Sequence, residues 1–287
     1  TAQQGMQKET SLRVTNEIYK PLWNPQTRIV LVTGGRGSGK SDAVSLCACD
    51  EITSFEDWVT LYTRWTLTSA EISIIPEFRD KIDILGKRDK VKVSGNIVRS
   101  TETGSTIIFS GIKAASGTQT ARLKSIKGLN KLIIEEAEEF QDEKEFNTLD
   151  DSLRALGVPN TIVIVMNPQD VDHWIWQRWF AKSHRMEVID GVQIPISTHP
   201  DITHIHTTYL DNKENLHPEY LAKIENLKIA NPDAYAHRYL GKWQERKEGV
   251  IYPNWIEGEF DLTLPYGYGL DFGFTNPDAM CKVAVDD

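Results

Sequence analysis

Apolar and polar positions along the chain fall into two alternating periods, one typical of buried strands and one of helices. Arg28-Ile-Val-Leu-Val-Thr33 is a short apolar run that ends in glycines, the pattern of a strand covered on both faces. After the glycines, Ala43, Val44, Cys47, Ala48 and Ile52 recur at helical spacing. Asp57 to Thr63 reads as a second strand, and Ser69 to Leu85 as a helix kinked at Pro76. Alternation from Asn96 to Gly111 around Thr103-Gly104 predicts a β-hairpin. A buried strand at Lys131–Ile134, a helix from Asp142 to about Ala155, a strand at Thr161–Met166 and a Trp-rich helix from His173 to Phe180 follow. Thr203 to Tyr209 predicts another strand, and Pro218–Ile229 and Pro232–Leu240 two more helices. Strands alternating with helices imply an α/β fold whose mainly parallel sheet is flanked by helices on both faces. From Gly241 to Glu259 glycine, proline and charge break the rhythm, and two short strand-like runs come after.

Composition narrows the picture only a little. Of 287 residues, 40% are hydrophobic and 25% charged, as in a soluble globular protein, and no apolar run approaches bilayer length. The polar start has no signal-peptide pattern, so the expected location is cytoplasmic and no membrane partner is expected. Cys47 and Cys49 lie two apart in a predicted helix and point in different directions, which fits neither a disulfide framework nor a zinc site. The net charge of -9 excludes a uniformly cationic surface. Local basic stretches remain for phosphate contacts: Arg79, Lys81, Lys87, Arg88, Lys90, Lys92 and Arg99 in one, and Lys113, Arg122, Lys124, Lys127 and Lys131 in the other.

The sharpest chemical signal is Gly34-Gly35-Arg36-Gly37-Ser38-Gly39-Lys40-Ser41, a G-x-x-x-x-G-K-[ST] sequence between a predicted strand and helix. Glycines let the backbone curl so that its N–H groups face a triphosphate, and the helix N-terminus adds positive partial charge. Lys40 is placed to reach the β- and γ-phosphates and Ser41 to give an oxygen to Mg2+. Two acids complete the expected site. Leu132-Ile133-Ile134 leads into Glu135 and Glu136, delivering carboxylates to the carboxyl edge of the sheet. Glu135 is expected behind Mg2+, directly or through water, and Glu136 to orient and deprotonate the attacking water. Neither Asn212-Lys-Glu-Asn215 nor Asn167-Pro-Gln-Asp170 completes the N-K-x-D signature of GTP switches, which favours ATP. Tyr19 and Trp23, upstream of the first strand, are open between stacking on the base and packing in the core.

The loop GGRGSGKS, the acid-bearing LIIEEAEE, VMNP after the next strand, NPDAYAHRYLGKW and YGLDFGF, in this order, resemble the large subunit of tailed-bacteriophage terminases. The resemblance implies a P-loop ATPase domain at 1–244, a linker at 245–259, and at 260–287 the first strands of a truncated RNase H-like nuclease. It implies that the protein moves double-stranded DNA into a procapsid in the host cytoplasm. Implied partners are the portal protein and the small terminase subunit, with a ring, five subunits on the portal, and a monomer in isolation. By motif match Arg36 is the loop arginine near the γ-phosphate and Asn167 the coupling residue. Asp271 matches the first nuclease ligand for Mg2+ or Mn2+, while Asp278, Asp286 and Asp287 match no second ligand. Arg122 is a candidate arginine acting on a neighbouring subunit.

Other classes stay open on the residues alone: a helicase or recombination ATPase, a nucleotide-gated assembly scaffold, or a small-molecule kinase. His204 and His206 share a strand face, as a metal pair could, but no third ligand is visible and packing is favoured. Trp174, Trp176 and Trp179 are read as helical core or a subunit contact in preference to nucleotide stacking.

Overall fold

A computed structural model describes residues 16–64, 75–112, 126, 128–154, 156–158, 160–245, 260–261, 263–271 and 279–284. The chain divides into two units, Thr1–Arg246 and Lys247–Asp287.

The first unit is built on an eight-stranded sheet. In chain order its strands are β1 (Ile29–Gly34), β2 (Val59–Arg64), β3 (Val91–Ser94), β4 (Ile97–Ser100), β5 (Thr106–Gly111), β6 (Leu129–Ile134), β7 (Thr161–Met166) and β10 (Ile202–Thr207). The spatial order is β10-β1-β7-β6-β2-β5-β4-β3. All neighbours from β10 to β5 are parallel, and β4 and β3 close the edge as antiparallel strands. β7 therefore separates the glycine-bearing strand β1 from the acid-bearing strand β6. Between β7 and β10 a separate hairpin pairs β8 (His184–Ile189) with β9 (Val192–Ser197).

Helices cover both faces, as the continuously buried strands require. Val30, Val32, Ile133, Val163 and Val165 pack with α1 (Lys40–Ser54) and α2 (Ile75–Ile84). Ile29, Leu31, Leu132, Ile134, Ile162 and Ile164 pack against α3 (Glu143–Asp150) and α4 (Trp174–Trp179). A third cluster joins β9 to α5 (Pro218–Ala230) and α6 (Pro232–Leu240), both of which begin with proline where its missing N–H is harmless.

Several expectations need correction. The described part of α2 begins at Ile75, beside Pro76, and residues 69–74 of the expected kinked helix lie outside the described residues. α3 ends at Asp150, and Ala155 lies outside the described residues. The hairpin β8–β9 was not anticipated, although its turn, Asp190-Gly191, has positive φ at both residues (49° and 79°), the geometry that Asp-Gly favours. β3 was likewise hidden in a stretch read only for its basic charge. In that stretch Lys81 is buried and paired with Asp42, and from the other Lys131 is buried and paired with Glu51 on α1. Neither is a surface cation. Lys113, Arg122, Lys124 and Lys127 lie outside the described residues.

The three tryptophans take the core alternative. Trp174 and Trp179 are buried around Phe146, and Trp176 stacks on Phe180 and packs against Trp243. Among the described residues no helix is long and apolar enough to cross a membrane. In the second unit β11 (Tyr266–Asp271) pairs antiparallel with β12 (Ala279–Ala284), and Lys282 lies 3.7 Å from the centre of the Tyr266 ring.

Candidate functional site

β1 ends in the glycine run, and close approach explains why glycine is needed there. A Cβ at Gly34 would lie 1.9 Å from the Thr207 carbonyl oxygen, and one at Gly35 would lie 2.0 Å from the Tyr239 carbonyl oxygen. The ends of β10 and α6 thus press on the back of the loop. Backbone bonds fix the same contact, since the Gly35 N–H donates to Thr207 (3.1 Å) and the Arg36 N–H to Arg238 (2.8 Å). Gly39, left-handed at φ 86°, then turns the chain into α1.

The loop opens onto a cavity of about 400 Å³ lined by residues 35–42, Arg64, Glu77, Glu135, Glu136, Glu138 and Asn167. All the predicted loop residues except Gly34 line it, together with both predicted acids and Asn167. Gly34 sits just behind, at the end of β1. Arg36 is exposed at the rim and Ser41 is half-buried.

Lys40 is folded into its own loop. Its ammonium lies 2.9 Å and 2.8 Å from the Gly34 and Gly35 carbonyl oxygens, 3.2 Å from Ser38 Oγ and 3.0 Å from Asn167 Oδ1. Burial pulls its pKa down to about 8, while the Glu138 and Glu135 carboxylates oppose that fall. Asn167, just past β7, donates from Nδ2 and from its backbone N–H to the two oxygens of Glu138, at 2.9 Å and 3.2 Å. Burial raises the Glu138 pKa, and these bonds from Asn167 hold it down. Lys40, Asn167 and Glu138 form one continuous polar line from the loop to the acidic edge.

The two adjacent acids differ sharply. Glu135 is buried, with Oε2 accepting from Arg64 Nε at 2.6 Å and Oε1 making no hydrogen bond among the described residues. Glu136 is 45% exposed, 3.6 Å from Arg64 Nη1, and its φ of 53° is left-handed. That conformation costs about 1–2 kcal/mol for a residue with a Cβ, so it is held by its surroundings. A buried carboxylate oxygen without a partner among the described residues, lining the same cavity as Ser41 and the glycine loop, fits the donor set a Mg2+–nucleotide needs.

Arg64, Glu138 and Glu77 are among the cavity residues that escaped the sequence reading. Arg64 carries a usable signal, being the polar residue that ends an apolar strand. Glu138 was absorbed into the solvated acidic run. Glu77, on α2 and accepting from Ser45 Oγ at 3.0 Å, has no local signal, because only the fold brings α2 to the cavity. Its pKa is raised by burial and then by Glu135.

Tyr19 and Trp23 do not line the cavity. The Tyr19 ring is buried, with its hydroxyl 2.9 Å from the Ser38 carbonyl oxygen and 3.0 Å from Thr207 Oγ1, so it supports the loop from below. Trp23 packs against the core and donates from Nε1 to Asp50 at 2.9 Å. Asp271 ends β11, but its side chain lies outside the described residues, as do Asp278, Asp286 and Asp287. His204 and His206 are core residues bonded through Thr33, and among the described residues no group of three His, Cys, Asp or Glu side chains could hold a metal.

A mainly parallel sheet with a glycine-lined loop after β1 and carboxylates after β6 defines the fold of a phosphate-loop α/β ATPase domain. The chain belongs to the phage terminase large subunit family, whose sequence model matches residues 26–242. No curated protein matches it. Its fold is similar to that of the large terminase of a thermophilic bacteriophage, with TM-score 0.61, 16% identity, and 97% of this chain aligned to 65% of that chain. The chain therefore spans just under two thirds of that terminase. It is also similar to the large terminase ATPase domain of Thermus phage P74-26 (TM-score 0.57, 17% identity, 80% of this chain and 94% of that one). The bacteriophage HK97 large terminase matches at TM-score 0.51 and 13% identity, over 78% of this chain and 49% of that one. The thermophilic-phage terminase has been solved in complex with ADP and with ATP-γ-S.

Proposed function

We propose that the first unit hydrolyses ATP with Mg2+ and that this turnover drives double-stranded viral DNA into a procapsid in the host cytoplasm. The observation that carries the reading is Lys40. Among the described residues, a buried ammonium bonded only to its own loop and to Asn167, in one cavity with a carboxylate oxygen without a partner, is a set of groups arranged for phosphate and a divalent cation. The solved terminase complexes with ADP and ATP-γ-S support a nucleotide as the ligand.

In this reading Lys40 exchanges the Gly34 and Gly35 carbonyls for β- and γ-phosphate oxygens, and the amides from Gly37 onward face the phosphates. Ser41 and Glu135 would hold Mg2+, which when bound neutralises phosphate charge. Glu136, exposed to the cavity, accepts the proton of the attacking water at its carboxylate. Arg36 at the rim stabilises charge on the outermost phosphate. Asn167, bonded to Lys40 on one side and Glu138 on the other, carries the state of the loop to the acidic edge. Residues 1–244 act as the ATPase domain, 245–259 as a linker, and 260–287 begin an RNase H-like nuclease in which Asp271 would bind Mg2+ or Mn2+. The portal, the small terminase subunit and a portal-bound ring are the partners this function requires.

Changing Glu136 to Gln tests the assignment. Calorimetry is expected to show an ATP analogue bound within about threefold of wild type, while turnover falls on the order of a thousandfold. Lys40→Ala is expected to lose binding altogether. Normal turnover by Glu136→Gln would remove Glu136 as the base, and a rate indifferent to DNA and portal-bearing procapsids would remove the motor.

A further inference from the structure

Behind the phosphate loop runs a chain of hydrogen bonds with a single consistent direction. The Ser197 N–H of β9 donates to His204 Nδ1 at 2.9 Å, so His204 carries its proton on Nε2. That Nε2–H faces Thr33 Oγ1 at 2.8 Å. The Thr33 hydroxyl is 2.8 Å from His206 Nδ1, and His206 Nε2 is 2.9 Å from the Leu240 carbonyl oxygen. Only one assignment satisfies every group: Ser197 to His204, His204 to Thr33, Thr33 to His206, His206 to Leu240. Both imidazoles are neutral in it, and each has one nitrogen donating and one accepting.

The location is what gives the chain meaning. Thr33, fully buried, immediately precedes Gly34. Leu240 immediately precedes Gly241, where a Cβ would lie 2.7 Å from the Gly34 carbonyl carbon. His206 immediately precedes Thr207, whose carbonyl receives the Gly35 N–H. The three backbone segments that form the back wall of the loop therefore meet at one imidazole. Around it lie Lys40 of α1, Glu187 of β8 and Asp211 of the turn Tyr209–Asn215, with Arg185 of β8 near His204. None makes a hydrogen bond to either ring, so ring orientation is set by the chain itself.

We propose that Thr33 and His206, continued through His204, are positioning residues that hold the phosphate loop in its nucleotide-binding shape by tying β1 and β10 to the end of α6. This rests on the reading of the loop as a nucleotide site. Because the Gly35 and Arg36 amides are already committed to Thr207 and Arg238, a shift of either support moves the amides that face the phosphates.

Thr33→Val removes the hydroxyl at constant shape. Its Kd for a Mg2+-bound non-hydrolysable ATP analogue is expected to rise roughly five- to tenfold, the size of one lost hydrogen bond, with KM rising in parallel and kcat within about twofold. His206→Leu should match it, and His206→Gln, which keeps a donor for Leu240, should recover part of the loss. A folded Thr33→Val and a folded His206→Leu that both bind like wild type overturn the proposal. Should neither variant fold, the imidazole nitrogen resonances of the wild type decide. Shifts of the His204 and His206 signals on saturation with the analogue support the role, and unmoved signals overturn it. A wild type that binds no nucleotide would instead strike the nucleotide-site reading, and the positioning role falls with it.

Discussion

The loops after β1 and after β6 face the same cavity from the same edge of one sheet, yet they are held by different forces. Around β1 the constraint is steric, since Gly34 and Gly35 touch the backbones of β10 and α6 with no space for a side chain. Around β6 it is electrostatic: Arg64 grips Glu135, Asn167 grips Glu138, and a buried Lys131–Glu51 pair ties the strand to α1. Gly128, which leads into β6 with φ 72°, has no neighbour among the described residues within 4 Å of a notional Cβ. The difference teaches that the start of the phosphate cradle is specified by shape and tolerates no added atom at Gly34 or Gly35. The acidic edge is specified by charge, and its partners can be exchanged in pairs.

The largest effect should come from breaking the shape. Gly35→Ala forces a methyl group into the Tyr239 backbone, which cannot move aside as a flexible side chain could. Nucleotide binding by calorimetry is expected to vanish, and thermal unfolding to show a loss of several kcal/mol, on the order of 3 or more. Gly128→Ala meets none of the described residues within 4 Å and is expected to bear only the left-handed backbone penalty of about 1 kcal/mol. Equal effects from the two substitutions would show that close backbone packing does not set the end of β1 apart from the approach to β6.

The charged side is broken next. Lys131→Met leaves Glu51 buried without its cation, and Glu51 Oε2 already has no hydrogen-bond partner among the described residues. A destabilisation of about 3–5 kcal/mol in denaturant unfolding is expected. Lys131→Met combined with Glu51→Leu should recover most of it, because the desolvated charge is then gone. A double variant as unstable as the single one would mean that β6 too is held by shape.

Much of this was legible in the sequence, and what was missed follows a pattern. β1, β6 and β7 could be placed because strands buried on both faces are uninterrupted apolar runs, and the phosphate loop because its glycines have a steric duty tied to fixed spacing. The roles of three others were harder to place: Glu138 is lost in the acidic run, Glu77 reaches the cavity only through the fold, and an ion pair such as Arg64–Glu135, between strands adjacent in space, leaves no periodicity in the chain. Lys131 was misread for the same reason: a lysine in an apolar strand looks like surface charge until Glu51 is found beneath it. Tyr19 and Trp23 looked available to a base because aromatic side chains upstream of a strand have the same composition in either use. Only their hydrogen bonds to Ser38 and Asp50 distinguish them.

Acid should weaken the steric side through the histidines behind it. Burial pushes the His206 pKa down to about 4 and holds His204 well below its usual range. A histidine whose folded pKa is lowered binds fewer protons in the native state. Its contribution is complete above pH 6.5 and is lost as pH falls from there towards the folded pKa. His206 alone should remove about 2 kcal/mol between pH 6.5 and 5. Glu77 and Glu138, whose pKa values burial raises, act in the opposite direction, so the informative quantity is the wild-type profile minus that of His206→Gln. A difference that does not change across this range would mean that His206 is not held neutral.

The smallest expected effect also sharpens the comparison most finely. Tyr19→Phe deletes one hydroxyl beneath the Ser38 carbonyl and keeps the ring. If the loop is held by packed supports acting together, removing one should cost about 1 kcal/mol of stability and a few-fold in nucleotide affinity, because the ring still fills its space. If Tyr19 instead stacked on the base, Phe would bind like wild type and only Tyr19→Leu would weaken affinity, since stacking needs the ring and not the hydroxyl. Comparing Phe with Leu at this position by calorimetry therefore separates support from stacking. A loss already present in Phe places Tyr19 with Thr207 and Tyr239 among the groups that shape the cradle.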